Sequence, residues 1–322
     1  MKNFRATKKF KQEKAEIIQI LVGEGVREDQ AQTVADCFAT ADVFGVTSHG
    51  KNVLSSHVDK IRAGGYNLSP QIKVIKGTPA FAVIDGDNSL GPVSAEFCVR
   101  YAIEKVKEVG CFTIFCRNNN TLGPAFYYPL LAAEQGLIAT ISTNSPAQMA
   151  PFGGKEKMLG TNPFATVIPV GNDDPIIIDF ATSVVAKSKF KEYANTGKPL
   201  PEGWALDSDG NPTTDAKKGI EGLVLPMAGF KGYGMSMLID IFAGLLSGSA
   251  FLNNVGRFYS EDKKSMNVGF FMTVLDPIMI YGEDYNTQIK NYVNQLRQSK
   301  KIDGKDIILP GDDRIKFLNS ET

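Results

Sequence analysis

The sequence predicts an α/β protein with a helical N-terminal region and a sheet flanked by helices. Apolar residues recur at helical spacing through residues 1–70. From Ile72 onward, short apolar runs alternate with longer helical stretches, divided by turns rich in glycine, aspartate and asparagine. The runs are apolar enough to be buried between layers.

Taken in order, residues 11–25 place Ala15, Ile17, Ile18, Leu21 and Val22 on one helical face, and residues 27–41 repeat the pattern through Ala31, Val34, Ala35 and Phe38. A third helix is expected over 53–63, stopped by Gly64-Gly65. Strands are expected at 71–75 and 80–84, a turn at Asp85-Gly86-Asp87-Asn88, a helix at 92–109, a strand at 111–116, a helix at 126–135 and a strand at 137–143. Further strands are expected at 166–169 and 176–179 and a helix at 186–196. Residues 199–214 are rich in glycine, proline and aspartate and read as a surface loop. The apolar helix over 233–246 is expected to be buried. A strand at 268–275, an amphipathic helix at 283–298 and a short strand at 307–309 finish the chain. The organisation that follows is a helical region over 1–70, an α/β core over 71–225, and a helix/strand region over 226–322 that completes the core.

Composition narrows the function. Hydrophobic residues are 43% and charged residues 22% of 322, ordinary for a globular protein. With 35 basic and 35 acidic side chains, no basic excess points to nucleic acid or to an anionic membrane. Cys37, Cys98, Cys111 and Cys116 show neither a CxxC pair nor metal-type spacing, and read as reduced, buried thiols of a cytoplasmic protein. Residues 1–14 are basic without an apolar core, which does not fit a secretory signal. The most apolar long stretch, 220–251, is interrupted by Glu221, Lys231 and Asp240 before it reaches the roughly 18 residues of a membrane helix.

The segment Asp42-Val43-Phe44-Gly45-Val46-Thr47-Ser48-His49-Gly50 holds one of two histidines. Histidine alone has an unperturbed pKa near neutrality, so His49 is the first candidate for proton chemistry. The alternative is an exposed histidine on a helix-to-helix turn, with Asp42 either capping a helix or orienting the ring. His57 has Ser55, Ser56 and Asp59 as neighbours and reads as a solvated surface residue. Trp204 reads as a packing anchor. Asn118 to Asn120 read as turn chemistry or as polar lining. Neither a GxGxxG nor a P-loop is present. Three glycine-bearing turns could instead hold phosphates: Phe152-Gly153-Gly154-Lys155, Gly160-Thr161-Asn162-Pro163 and Gly229-Phe230-Lys231-Gly232-Tyr233-Gly234. The last opens a helix, where amides and the Lys231 ammonium suit an anion.

Seven motifs occur in a recognisable order: Ser48-His49-Gly50, Asp85-Gly86-Asp87-Asn88, Gly160-Thr161-Asn162-Pro163, Asp179-Phe180-Ala181-Thr182-Ser183, Pro201-Glu202-Gly203-Trp204-Ala205, Lys231-Gly232-Tyr233-Gly234 and Leu309-Pro310-Gly311. Over residues 14–314 the chain resembles the malate/L-lactate dehydrogenase family, which also holds ureidoglycolate dehydrogenase, sulfolactate dehydrogenase and 2,3-diketogulonate reductase. The resemblance implies NAD or NADP bound in a non-Rossmann, mixed-sheet fold, interconversion of a small 2-hydroxy acid and its 2-oxo acid, and a homodimer with its site near the subunit interface. It implies that His49 is catalytic and that Ser145, Asp179, Phe180, Ala181, Lys231, Pro310, Gly311 and Asp312 contact the cofactor; Ser48, Lys51, Asn120 and Thr121, close to these motifs in sequence, are the candidate substrate-lining residues. No metal, nucleic acid or membrane is implied.

Two positions depart from the family pattern. Thr121 stands where a histidine is usual, and a hydroxyl cannot act as a base near neutral pH. Val53 stands where an arginine usually clamps the substrate carboxylate. Both changes imply an altered substrate preference, or a relative that binds a nucleotide or small acid without turnover. No GxSxG or metal cluster supports a hydrolase.

Overall fold

The computed structural model describes residues 3–258 and 265–321. The expected helical region is present as α1 (Lys8–Gly23), α2 (Glu28–Val43) and α3 (Leu54–Arg62). The Thr7 hydroxyl caps α1 by accepting from the Phe10 amide, and Glu28 and Asp29 put negative charge at the positive end of α2. The first two helices pair through their apolar stripes, burying Ile17, Leu21, Val34 and Phe38.

The α/β part begins with β1 (Lys73–Gly77), β2 (Phe81–Asp85), α4 (Gly91–Val109), β3 (Cys111–Asn119), α5 (Tyr127–Ala133), β4 (Ile138–Thr143), β5 (Phe164–Val170) and β6 (Asp173–Phe180). A smaller unit follows: α6 (Ser188–Thr196), β7 (Ala205–Leu206), β8 (Pro212–Thr213), α7 (Ala216–Glu221) and β9 (Leu223–Val224). Then come α8 (Phe230–Asp240), which runs on into a π-helical stretch Ile241–Leu246, β10 (Val268–Leu275), α9 (Pro277–Tyr281), α10 (Tyr285–Gln298) and α11 (Asp312–Glu321).

The main sheet has seven strands in the order β1-β2-β3-β10-β4-β5-β6. Only β2 and β3 run parallel; the other neighbours are antiparallel. The sheet is therefore mixed, which explains why no Rossmann fingerprint follows its strands. Strand β10 lies between β3 and β4, and its alternate residues Phe270, Met272 and Val274 are fully buried. Each such side chain contributes about 1.5–3 kcal/mol of burial. Helix α4 starts with Pro92 in its first turn and ends at Gly110 in the left-handed conformation, the usual stop and start chemistry.

Several expectations need correction. Residues 199–214 are not all loop: β7 and β8 pair there and β9 joins them in a three-stranded sheet. Residues 307–309 form no strand, although the Pro310 carbonyl accepts from the Ile177 amide beside β6. Helix α8 and its π extension are apolar but not buried on every side; Phe230 is 65% and Leu245 55% exposed. Cys111 is exposed, while Cys37, Cys98 and Cys116 are buried, and all four are free. Trp204 does pack, edge-on to Tyr193 with ring centres 5.6 Å apart.

His57 is the clearest reversal. It is buried, with Nδ1 2.9 Å from the Tyr66 hydroxyl and its ring between those of Phe38 and Phe258. Burial, with Lys60 adding to it, pushes its pKa down to about 3. The unfolded chain then binds the proton first, so stability is complete above about pH 6.5 and is lost as pH falls toward 3. A His57→Phe variant is expected to show a shallower loss of melting temperature between pH 6 and pH 4 than the wild type. Equal slopes would show that His57 does not drive the acid sensitivity.

Candidate active site

His49 sits on a turn between α2 and α3 built from two short 3-10 segments, Thr47–His49 and Lys51–Val53. The turn is latched by Asp42, a buried residue near the end of α2. Its Oδ2 accepts from the Lys51 amide at 2.7 Å. A Cβ on residue 50 would lie 2.0 Å from Asp42 Oδ1, so the glycine of Ser48-His49-Gly50 is required by the latch. Asp42 thus orients the turn that carries His49. Burial raises its carboxyl pKa, with the Lys51 amide opposing.

The Ser48 hydroxyl lies 2.9 Å from His49 Nδ1. That contact occupies one ring nitrogen and leaves Nε2 for a ligand. His49 is exposed in the single chain, as the alternative reading of a histidine on a helix-to-helix turn expected. Burial lowers the His49 pKa, the Asp179 charge raises it in opposition, and Arg314 lowers it further. Asp179 lies near the end of β6, and Arg314 lies in the first turns of α11, with Nη1 2.8 Å from Asp179 Oδ2.

The C-terminal motif explains how Arg314 arrives there. A Cβ on Gly311, which has φ +98°, would lie 2.9 Å from the Ile177 amide nitrogen, so the glycine allows the chain to dock on β6. Asp312 accepts from the Leu309 amide at 2.9 Å and is held by Arg297 at 2.7 and 2.9 Å. Pro310 and Asp312 line a cavity of about 360 Å³ between β6, α10 and α11 that does not include His49.

A second constellation surrounds Ser145. Its amide donates to Asn162 Oδ1 at 3.0 Å, while Asn162 Nδ2 donates to the Ser236 carbonyl of α8. The Ser236 hydroxyl donates to the Gly160 carbonyl, and the Thr182 hydroxyl donates to the Thr161 carbonyl. The turn Gly160-Thr161-Asn162-Pro163 is therefore a joint between the ends of β4 and β6 and helix α8. The Met227 amide donates to the Thr182 carbonyl, which ties the start of α8, with exposed Lys231, to the segment after β6. Phe180 stacks on Phe164 with ring centres 5.5 Å apart, and Ala181 is half-buried. The Ser145 hydroxyl is buried without a hydrogen-bond partner. An unpartnered hydroxyl and a cationic helix start fit a phosphate-bearing nicotinamide cofactor.

Some expected residues stand elsewhere. Lys51 pairs with Glu16 of α1. Asn120 is fully buried: its amide donates to Asn88 and Ser89, and its oxygen accepts from the Met266 amide. Its side chain is spent on holding the turn after β3, as is that of Asn118, which donates to Asp85. Thr121 is half-buried with its carbonyl against Gly91. Arg314 and Ser236 carried no signal in the sequence, because their partners are distant in the chain.

Residues 9–321 match the family model described as malate/L-lactate dehydrogenase. A malate dehydrogenase of Pyrococcus horikoshii is 40% identical over 293 residues, 88% of this chain and 81% of that protein. An L-sulfolactate dehydrogenase of Methanocaldococcus jannaschii is 37% identical over 301 residues, 93% of this chain and 87% of that protein. A solved structure of the sulfolactate dehydrogenase from that organism superposes with a TM-score of 0.91 at 36% identity, covering 97% of this chain and 90% of that one. Other relatives are named for NAD(+) or for NADP(+). The fold and these likenesses define an NAD(P)-dependent 2-hydroxyacid dehydrogenase. The chain belongs to the malate/L-lactate dehydrogenase family.

Proposed function

We propose that the chain interconverts a small malate- or lactate-like 2-hydroxy acid and its 2-oxo acid, with a preference altered by Thr121 and Val53. The observation that carries this reading is the Ser48–His49 contact, which leaves Nε2 of a solvent-reaching ring open to a ligand. Reduction builds negative charge on the 2-oxo oxygen. His49 as imidazolium stabilises that charge and gives its proton to the oxygen; in oxidation the neutral ring takes the proton back. Bound NADH or NADPH supplies the hydride.

Ser48 orients the imidazole. Thr121 belongs to the wall of the substrate region and Asn120 acts through the turn it holds, while Lys51 is paired with Glu16. Ser145, Asp179, Phe180, Ala181 and Lys231 hold the cofactor, and Pro310, Gly311 and Asp312 complete its site from the C-terminal side. Residues 1–70 then carry the proton-transfer group, 71–225 the cofactor core, and 226–322 its closing elements. The test is a titration with NADH and NADPH followed by a screen of 2-oxo acids. Lys231→Ala is expected to raise the cofactor Kd more than it lowers kcat; the reverse order would remove Lys231 from the cofactor site. Tight cofactor binding with no turnover of any 2-oxo acid would favour the silent relative.

We also propose a homodimer. Phe230, Met237, Leu238, Ile241 and Leu245 recur at helical spacing along α8 and its extension, and all are exposed in the single chain. A second copy covering this stripe would lie beside Lys231 and the cofactor joint. A monomer mass in sedimentation equilibrium at micromolar concentration would contradict it. No helix among the described residues is long and apolar enough to cross a membrane. Four free thiols support a cytoplasmic location. Recovery of the native protein in a membrane fraction would contradict that placement.

A further inference from the structure

We infer that Arg314 binds the carboxylate of the 2-oxo acid, standing in for the arginine that Val53 replaces. The inference rests on the 2-oxo acid reading above. Such a substrate brings a carboxylate next to the carbon that changes oxidation state, so a cation must lie close to His49. Lys51 is engaged with Glu16, and Lys231 belongs to the start of α8. Arg314 is carried by α11, whose Phe317 packs on Gly45 in the loop that leads to His49.

Arg314 is positioned as a fixed group. Its guanidinium carbon lies 4.7 Å from the centre of the buried Phe126 ring. Phe126 in turn packs on Phe44, with ring centres 5.4 Å apart, and Phe44 ends the helix that leads into the His49 turn. One turn further along α11, Phe317 abuts Gly45, where a Cβ would lie 3.0 Å from the ring. Helix α11 is therefore held against the His49 loop at two points.

The pairing with Asp179 leaves capacity unused. Nη1 is 2.8 Å from the carboxylate, yet it is buried without an aligned hydrogen bond. A guanidinium has five N–H donors, and a planar fork suits a carboxylate in a way a lysine does not. The Arg314 side chain is 17% exposed, enough for one edge to meet a small acid. Asp179 beside it compensates the charge when the substrate is absent.

The test uses the full-length protein saturated with NADH or NADPH, and oxamate as a non-reacting mimic of a 2-oxo acid. Calorimetry is expected to show oxamate Kd raised about 30- to 100-fold in Arg314→Gln, with partial recovery in Arg314→Lys. Cofactor Kd is expected to change less than about twofold, since the charge is proposed to meet the acid. A purely structural role predicts that the cofactor Kd rises in Arg314→Gln along with the oxamate Kd, because Asp179, left without its partner, belongs to the cofactor site. That parallel rise, unchanged oxamate Kd in Arg314→Gln, or a wild type that binds no oxamate would overturn the assignment. Wild-type oxamate binding that is lost in Arg314→Gln, without turnover of any 2-oxo acid, would uphold the assignment while the dehydrogenase reading fails.

Discussion

His49→Asn is expected to lower kcat for reduction of the 2-oxo acid by at least about tenfold, and as far as the roughly 10²–10⁴ that acid–base help supplies. Cofactor Kd should stay near the wild-type value, because the ring acts on the substrate oxygen. The amide of asparagine can still donate a hydrogen bond but cannot deliver a proton. The pH dependence follows from the direction of the His49 shift. Burial lowers its pKa below 6.5, so the ring is mostly neutral at pH 7. Oxidation, which needs the neutral ring, should hold its rate down to below pH 6.5 and then fall. Reduction, which needs the imidazolium, should weaken as pH rises through the same region. Stopped-flow rates from pH 5 to pH 8 check both. An unchanged kcat in His49→Asn would remove the residue from the mechanism.

Gly50→Ala should cost about 100-fold in kcat/KM, although residue 50 touches no reacting atom. The added methyl would sit 2.0 Å from Asp42 Oδ1 and 2.5 Å from Oδ2. Asp42 cannot retreat without releasing the Lys51 amide, which it holds at 2.7 Å. The turn must move instead, and His49 moves with it. A displacement near 1 Å at a catalytic group is enough for a loss of that order. Stability should fall by about 1–3 kcal/mol, the usual cost of overpacking. The mechanism has an internal check: in an Asp42→Ala background the clash is gone, so Gly50→Ala should add little further loss. Full additivity of the two changes would contradict the latch.

The parts that the sequence revealed are those whose signal is local. Helical spacing located α1, α2 and α4 to within a few residues, and apolar runs located β3, β4, β6 and β10. The order of the strands was not legible, because β10 enters between β3 and β4 from far along the chain. His57 misled for a related reason. Its neighbours in sequence are polar, but its partners are Tyr66, Phe38 and Phe258, and only tertiary structure brings them together. The stretch 307–309 reads as a strand by composition, yet Pro310 and the close approach of Gly311 to Ile177 turn it into a dock.

The site divides in the same way. His49, Ser48 and the glycine motifs were visible as short patterns. What those glycines do was not: Gly50 makes room for Asp42, and Gly311 for the backbone of β6. Arg314 left no pattern at all, since its meaning comes from Asp179 and Phe126, both remote in sequence. Asn120 was assigned to the substrate, while its donors and acceptor are taken by Asn88, Ser89 and Met266.

A hydride delivered to the C2 carbon of a 2-oxo acid beside His49 leaves an isotopic mark on the product. The most direct measurement is mass spectrometry of the acid formed from unlabelled 2-oxo acid and NADH or NADPH deuterated at C4 of the nicotinamide. One deuterium at C2 of the 2-hydroxy acid is expected in the wild type, with far less product in His49→Asn. A hydroxy acid without deuterium at C2 when both C4 positions are labelled, or no hydroxy acid from any 2-oxo acid tried, would contradict it.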